Sequence, residues 1–369
     1  MLGDRSLIFD SLSQDLMWPV DCIECIRSRP FSFSARSCNK WSLGRVILCG
    51  DAAHVFPPCR CQLNLLFQLL IIAVGGQGIA SGFRDAIALS WRLKLAISPS
   101  CTNYDRLFRG WYLERKQQLE RSLASTIDNG NYCNEPSKFK AFLRNWLLWL
   151  IQLVPSWKYD LELGPRKAGM TRYDYTPDTP FLPNFRGGIS FPQVFAAPID
   201  QPAPSLPMFT DDIIFSKQKR GIFQVVALIR SLEQLRSVQR DIISLGAKYD
   251  KDGIVYLTET TYIVHDQAHA SLQASSFLVS PVTSENVVRV VSAEEYTAAG
   301  ETEEAVTKGF PRPAPLYYDP ERICNDLGKD VSLAIVRWDR IVFASCTDLV
   351  QLEAALRMIE DVLNRADQA

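Results

Sequence analysis

The chain has 369 residues, a formal charge of −1 and 47% apolar residues, which is long enough for two domains with cores of their own and too apolar for a disordered or fibrous class. Near-neutrality without a long basic run argues against the electrostatic footprint of a nucleic-acid or anionic-membrane partner. Ten cysteines, eight of them before residue 134 and irregularly spaced, read as reduced thiols of a cytoplasmic protein rather than as a disulfide framework.

The N-terminal stretch "MLGDRSLIFDSLSQDL" lacks the basic start, apolar middle and small-residue cleavage site of a secretion signal. Residues 20–50 then alternate like strands, "CIRSRPFSFSA" followed by "RVILC". Cys22 and Cys25 form a C-x-x-C that could be imagined joining Cys59, Cys61 and His54 around zinc. On a strand, however, positions three apart point to opposite faces, so no metal is expected. The apolar run 63–74 contains Asn64 and Gln68 and falls well short of the roughly 20 residues that cross hydrocarbon.

Three helices follow. The first, over 78–97, has few polar interruptions and is expected to be buried on most sides. The second, over 104–127, sets Leu107, Trp111, Leu119 and Leu123 on a stripe opposite a charged face. The third, "SKFKAFLRNWLLWLIQL", starts after Pro136 and stops at Pro155, and its tryptophans are expected in the core. Residues 155–207 hold about half of the 21 prolines, which predicts an extended connector. Beyond it, "IFQVVALI", a helix over 232–245, "TYIVHD", "NVVRVV", "VSLAIVRWDRIVFAS" and a helix over 349–364 alternate as in a small mixed α/β domain.

The chemistry concentrates between residues 44 and 86. "GRVILCGDAAHVFPP" is a buried strand ending in Gly50 and Asp51, where a glycine allows close backbone approach and the carboxylate can accept from a ligand hydroxyl. "GGQGIASGFRDA" places Gly75, Gly76 and Gly78 before a helix, whose free N–H groups and positive end suit an anionic or electron-rich atom. "LLIIAVGGQGIAS" also imitates a dinucleotide fingerprint. That motif needs a second strand ending in an acidic residue about 20 positions on, and here another helix follows instead.

With residues 59–74 left out, the two pieces join into a string that closely resembles the second flavin-binding motif of the FAD-dependent aromatic-ring hydroxylases, the flavoprotein monooxygenases of the p-hydroxybenzoate hydroxylase and phenol hydroxylase type. "RSRPFSFSARSCNKW", "NYDRLFRGWYLERKQQLERSLASTIDNGNY", "LELGPRKAG" and "FRGGISFPQVF" extend the likeness, and the part from about residue 215 resembles the thioredoxin-like C-terminal domain of the phenol hydroxylase branch. The resemblance implies that Asp51, after Gly50, binds the ribityl chain of FAD. It puts Pro57 and Pro58 beside the isoalloxazine ring, and the backbone of Gly75, Gly76, Gln77 and Gly78 against the flavin's pyrimidine edge. It also implies NAD(P)H as reductant, molecular oxygen and a small aromatic or related organic substrate as reactants, and a thioredoxin-like domain with a structural or homodimerising role. In such enzymes the flavin performs the chemistry while the protein supplies position and exclusion of water.

The expected class is therefore α/β (α+β). An incomplete FAD/NAD(P)-binding monooxygenase domain over 1–157, with an apolar insertion at 59–74, is followed by a connector over 158–214 and a thioredoxin-like domain over 215–369. The family's opening G-x-G-x-x-G strand and helix, which hold the ADP half of FAD, have no counterpart here, so weak or absent FAD binding is expected and no substrate base is assigned. The segment "CRCQLNLLFQLLIIAV" is expected to be translated intron in an incomplete gene model. Transcript reads joining Pro58 directly to Gly75 would support this, and uniform coverage through the segment would refute it. The alternative reading is a noncatalytic remnant that keeps a thioredoxin-like interaction domain. After residue 133 only Cys324 and Cys346 remain, with no C-x-x-C, so disulfide exchange is not expected. His265 and His269, four apart, have no acidic or cysteine partner evident in the sequence and are not expected to bind metal.

Overall fold

A computed structural model of the chain describes residues 36–55, 77–98, 101, 103–133, 136–158, 171–200, 207–265, 278–300 and 318–364. All of them belong to one unit, Ala35–Ala369. Strand β1 (Arg36–Ser37) pairs antiparallel with β4 (His54–Val55), and β2 (Ser42–Leu43) with β3 (Val46–Ile47). These short ribbons close over Trp41 and Ala53, which pack with Ala88, Leu89 and Trp111 from two helices, α1 (Gln77–Ala96) and α2 (Tyr104–Cys133). The strand-like run 22–32 and the apolar run 59–74 lie outside the described residues, as do Cys22, Cys25, Cys59 and Cys61.

Helix α2 buries the expected stripe, with Leu107, Trp111 and Leu119 inside. Two other expectations are overturned. Helix α1 is buried along one face only: Ala88, Leu89, Trp91 and Leu95 point inward while Ile79, Phe83 and Ile87 are exposed. Its inner face also carries Ser81, Asp85 and Arg92, all buried, so part of the apolar surface is displaced outward by polar groups that need buried partners. Helix α3 (Lys138–Gln152), capped by Ser137 accepting from the Lys140 N–H, buries Leu148 alone. Its tryptophans are exposed rather than in the core. Composition reports how apolar a helix is, and only packing reports which way that surface faces.

The remainder builds around a seven-stranded sheet. Its elements in chain order are β5 (Phe195–Pro198), β6 (Met208–Phe209), α4 (Thr210–Ile214), β7 (Phe223–Ile229), α5 (Leu232–Tyr249), β8 (Thr261–Val264) and β9 (Val287–Val290). They continue with α6 (Ala293–Gly300), α7 (Arg322–Leu327), β10 (Leu333–Arg337), β11 (Val342–Cys346) and α8 (Leu349–Asn364). The strand order is β11-β10-β7-β8-β9-β5-β6. Strand β8 is parallel to both β7 and β9, while β10 is antiparallel to β7 and β11. Along β7, Phe223, Val225, Ala227 and Ile229 face a core shared with α5 and α8, and Val226 and Leu228 face another that includes Ile213, Ile214 and Ile323. Burial on both faces explains why this strand reads as an unbroken apolar run. On α8, Leu352, Ala355, Leu356, Ile359 and Leu363 follow the helical repeat onto the sheet.

The proline-rich stretch is not merely a connector. Phe181, Leu182, Phe191 and Val194 are buried, and β5 and β6 add two strands to the sheet. Strand β5, "FAAP", shows no alternation because its first three residues are all buried. Without that period it could not be told from a loop.

Cys346 is fully buried on β11, and burial pushes its thiol up to about 12. Burial also raises the Cys324 thiol. A thiol-specific reagent is therefore expected to modify the exposed Cys38 in the native protein and to reach Cys346 only after denaturation, because the thiolate is the reactive form. Native-state mass mapping of the label checks this.

Candidate functional site

Strand β3 feeds the chain into a single 3₁₀ turn, Gly50–Ala52. Gly50 has φ +59°, the left-handed region. A Cβ built on it would stand 3.7 Å from the Gly82 Cα on α1, an ordinary contact. Backbone conformation, not space, therefore demands glycine. Gly50→Ala is expected to cost about 1–2 kcal/mol, whereas Gly82→Ala, inside a helix, is expected to be neutral or slightly stabilising. Urea midpoints of the two variants separate them. The close approach of Gly50 and Gly82 brings the Gly50–Ala52 turn against α1 only a few residues beyond its start, although residues 56–76 intervene in sequence.

A buried carboxylate holds the two together. Asp85 Oδ2 accepts from the Gly50 N–H at 3.2 Å and lies 2.7 Å from His54 Nε2, while Oδ1 accepts from Arg115 Nε at 2.6 Å. The Asp85 carbonyl accepts from Trp111 Nε1 at 3.1 Å. Burial by itself would raise the Asp85 carboxyl, but hydrogen bonds from His54 and Arg115 and the Arg115 charge outweigh it and hold the group below the usual carboxylate range. Arg115 reaches on to Ser81 Oγ at 3.2 Å and the Tyr173 hydroxyl at 3.3 Å. One side chain of α1 thus anchors the turn, β4 and α2 together.

Asp51 projects from this turn into solvent, which leaves its carboxylate available to a ligand hydroxyl. Ala53, beside it, turns inward under Trp41 and Trp111. Helix α1 opens at Gln77 and Gly78, and the first N–H groups of any helix have no partner within it. Pro57, Pro58, Gly75 and Gly76 lie outside the described residues.

Over 144 residues the chain is 31% identical to the 3-(3-hydroxy-phenyl)propionate/3-hydroxycinnamic acid hydroxylase of Escherichia coli O139:H28, covering 39% of this chain and 23% of that protein. A family model described as FAD binding domain matches residues 9–103. Over these stretches the chain is similar to FAD-dependent aromatic-ring hydroxylases, and the domain whose family model it matches is one that binds FAD. The chain spans about a quarter of the curated relative's length, 23%. Solved structures with similarity include the flavin-dependent monooxygenase PieE in complex with FAD and substrate, at TM-score 0.49 and 14% identity over 98% of this chain and 55% of that one. Another is aklavinone-11 hydroxylase with FAD and aklavinone, at TM-score 0.48 and 16% identity over 97% and 52%.

The residues that organise the family motif here, Asp85 and Arg115, were not legible as site residues. The available signal was the single acid of this helix, placed four residues after Ser81 and seven before Arg92, so that all three share one face. A cavity of about 340 Å³ adjoins this network, between Arg84, Arg115, Tyr173, Phe191 and Arg340. Gly50, Asp51 and Gly78 are not among its walls.

The expectation that His265 has no acidic or cysteine neighbour is corrected. Glu321 and Cys324, distant in sequence, come to it, and one donor atom from each of the three lies within 4.8 Å of the others. The His265 Nε2 to Cys324 Sγ distance is 3.9 Å. Burial and the negative charge of Glu321 raise the Cys324 thiol, and the charges of Arg230 and Lys329 offset this only in part. No helix among the described residues is long and apolar enough to cross a membrane.

Proposed function

We propose that the chain carries the ribityl and pyrimidine half of an FAD site and belongs to an NAD(P)H-dependent monooxygenase acting on an aromatic or related small organic substrate. The observation that carries this reading is the seating of the Gly50–Ala52 turn against α1, which sets the exposed Asp51 beside the helix that opens at Gln77 and Gly78. An anionic acceptor on a tight turn and unpaired N–H groups at a helix start match the hydroxyl-bearing chain and the electron-rich ring edge of a flavin. The named relative's hydroxylase activity supports the substrate class.

In this reading Asp51 accepts from the ribityl hydroxyls, with Gly50 giving the backbone room to approach. Pro57 and Pro58 flank the ring, and Gly75, Gly76, Gln77 and Gly78 offer N–H groups to its pyrimidine edge. When bound, FAD would supply electron transfer from the nicotinamide and activation of oxygen. Asp85 acts one layer below, keeping the turn and the helix in register. Localisation is cytoplasmic.

Titration of the purified chain with FAD, followed by quenching of flavin fluorescence, tests the reading. Weak but saturable binding, in keeping with a site that lacks its ADP-binding half, which Asp51→Ala weakens by about a further tenfold, the worth of one charged hydrogen bond, is the expected result. Absence of saturation, or equal binding by the variant, overturns it.

A second reading has its own support. The order β11-β10-β7-β8, with β7 and β8 parallel, α5 between them, and a closing β10–β11 hairpin followed by α8, supports reading 215–369 as a thioredoxin-like domain. That domain would serve structure or homodimerisation in a chain without flavin. Folded protein that remains colourless after FAD addition favours it.

A further inference from the structure

The end of β8 and the start of α7 bring together three side chains that the flavin reading does not use. His265 directly follows β8, and its backbone N–H donates to the Ile229 carbonyl at the end of β7 at 2.8 Å, which ties the base of the ring to the sheet. Glu321 immediately precedes α7 and Cys324 lies within its first turn, three residues on, a spacing that makes them neighbours on a helical surface. Ile323 and Leu327, both buried, hold that helix on the sheet core. The fold thus delivers an imidazole, a carboxylate and a thiol to one place, although 59 residues separate His265 from Cys324.

Their donor atoms lie within 4.8 Å of one another, and His265 Nε2 stands 3.9 Å from Cys324 Sγ. A tetrahedral zinc ion, with Zn–N of about 2.0 Å and Zn–S of about 2.3 Å, separates such a pair by about 3.5 Å. The pair therefore has to close by only about 0.4 Å, no more than ordinary thermal displacement. Glu321 is exposed, so its side chain is free to swing the remaining distance.

We propose that His265, Glu321 and Cys324 form a binding site for a zinc ion, with water as the fourth ligand. A thiolate beside an imidazole selects zinc over magnesium and calcium, which take oxygen ligands. On coordination Cys324 releases its proton to solvent and binds as the thiolate. Together with the Glu321 carboxylate it then matches the two charges of the ion. Of the other charges that act on Cys324, Arg230 and Lys329 are positive and Asp319 is negative, a net positive field that tempers affinity. His265 Nδ1 is buried without a hydrogen-bond partner among the described residues. Ligating histidines are ordinarily oriented by such a partner, whose loss costs about 10–100-fold in metal affinity. The site is therefore exchangeable, and its zinc clips the end of β8 to α7. The proposal rests on the seven-stranded sheet and is independent of the flavin reading.

Titration of the full chain, stripped of metal by chelator, with Co²⁺ as a spectroscopic substitute for zinc tests it. The expected result is a thiolate-to-metal charge-transfer band in the near ultraviolet that added Zn²⁺ removes, since zinc binds such donors more tightly than cobalt. The decisive comparison is with Cys324→Ser, because other cysteines of the chain can also bind cobalt. That variant should lose the contribution of one thiolate, and His265→Gln and Glu321→Gln should each weaken the same component at least tenfold. Zn²⁺ should also slow alkylation of Cys324 at least tenfold while leaving the exposed Cys38 unaffected, as mass mapping of the label reads. Circular dichroism should show the wild-type fold in all three variants, since none of the three side chains is fully buried. A cobalt spectrum identical in the wild type and Cys324→Ser overturns the proposal, as does alkylation of Cys324 that zinc leaves unchanged. So does a Cys324-dependent band that survives both His265→Gln and Glu321→Gln, since this would be a single thiol binding metal.

Discussion

Glu114→Ala should destabilise the protein by about 3–5 kcal/mol, the cost of leaving buried charge without its partner. The Glu114 carboxylate accepts from Arg92 Nη2 at 2.7 Å and from both terminal nitrogens of Arg337, at 2.7 and 2.9 Å. All three side chains are fully buried. Arg337 also donates to Asp339, which accepts as well from Trp91 Nε1 at 2.9 Å and from the Ile341 N–H at 3.4 Å. The network therefore joins α1 and α2 to β10, and its two arginines balance two carboxylates. Removing Glu114 leaves that balance at net +1 in a space water does not reach. Glu114→Leu/Arg337→Met removes one charge of each sign and is expected to cost much less than the sum of the single variants. Urea denaturation of the four proteins in this double-mutant cycle measures the coupling. Additive losses would show that the ion pairs contribute nothing beyond their packing.

The second large effect is at Asp85. Asp85→Asn should cost a similar 3–5 kcal/mol, since Arg115 loses its buried counter-charge. It should also loosen the turn bearing Asp51, which is held through the Gly50 N–H. The pH dependence follows from the same contacts. Because the folded carboxyl sits below its unfolded value, the unfolded state binds the proton first as pH falls. The contribution is complete above the ordinary carboxylate value of about 3.9 and is lost as pH drops below it through the folded value. Urea midpoints measured from neutral pH down to the acid limb should show a steeper loss for the wild type than for Asp85→Asn. Parallel curves would mean that Asp85 has no special share in acid unfolding.

Much of the architecture was readable along the chain. The helix over 349–364 stands where its apolar period put it. The two strands of "VSLAIVRWDRIVFAS" form a hairpin around Trp338 and Asp339, and α2 buries the stripe its spacing marked. What could not be read were orientation and partnership. Arg92 and Asp85 looked like interruptions of an apolar helix and are in fact its buried anchors. The "FAAP" strand had no period to betray it, and His265 had no visible neighbour until the fold brought up residues 321 and 324.

For the candidate site, the residue types and the glycine at position 50 were local facts: a left-handed turn needs glycine, and a carboxylate beside it offers an acceptor whatever surrounds it. Sequence also carried the family likeness, because motif chemistry is written in short stretches. That the turn and the helix at Gln77 come side by side despite the residues between them was decided only by tertiary structure. The reason is physical: the bond joining them runs through a carboxylate whose partners, at positions 50, 54 and 115, are distant along the chain, and a buried charge is stable only where all its partners converge.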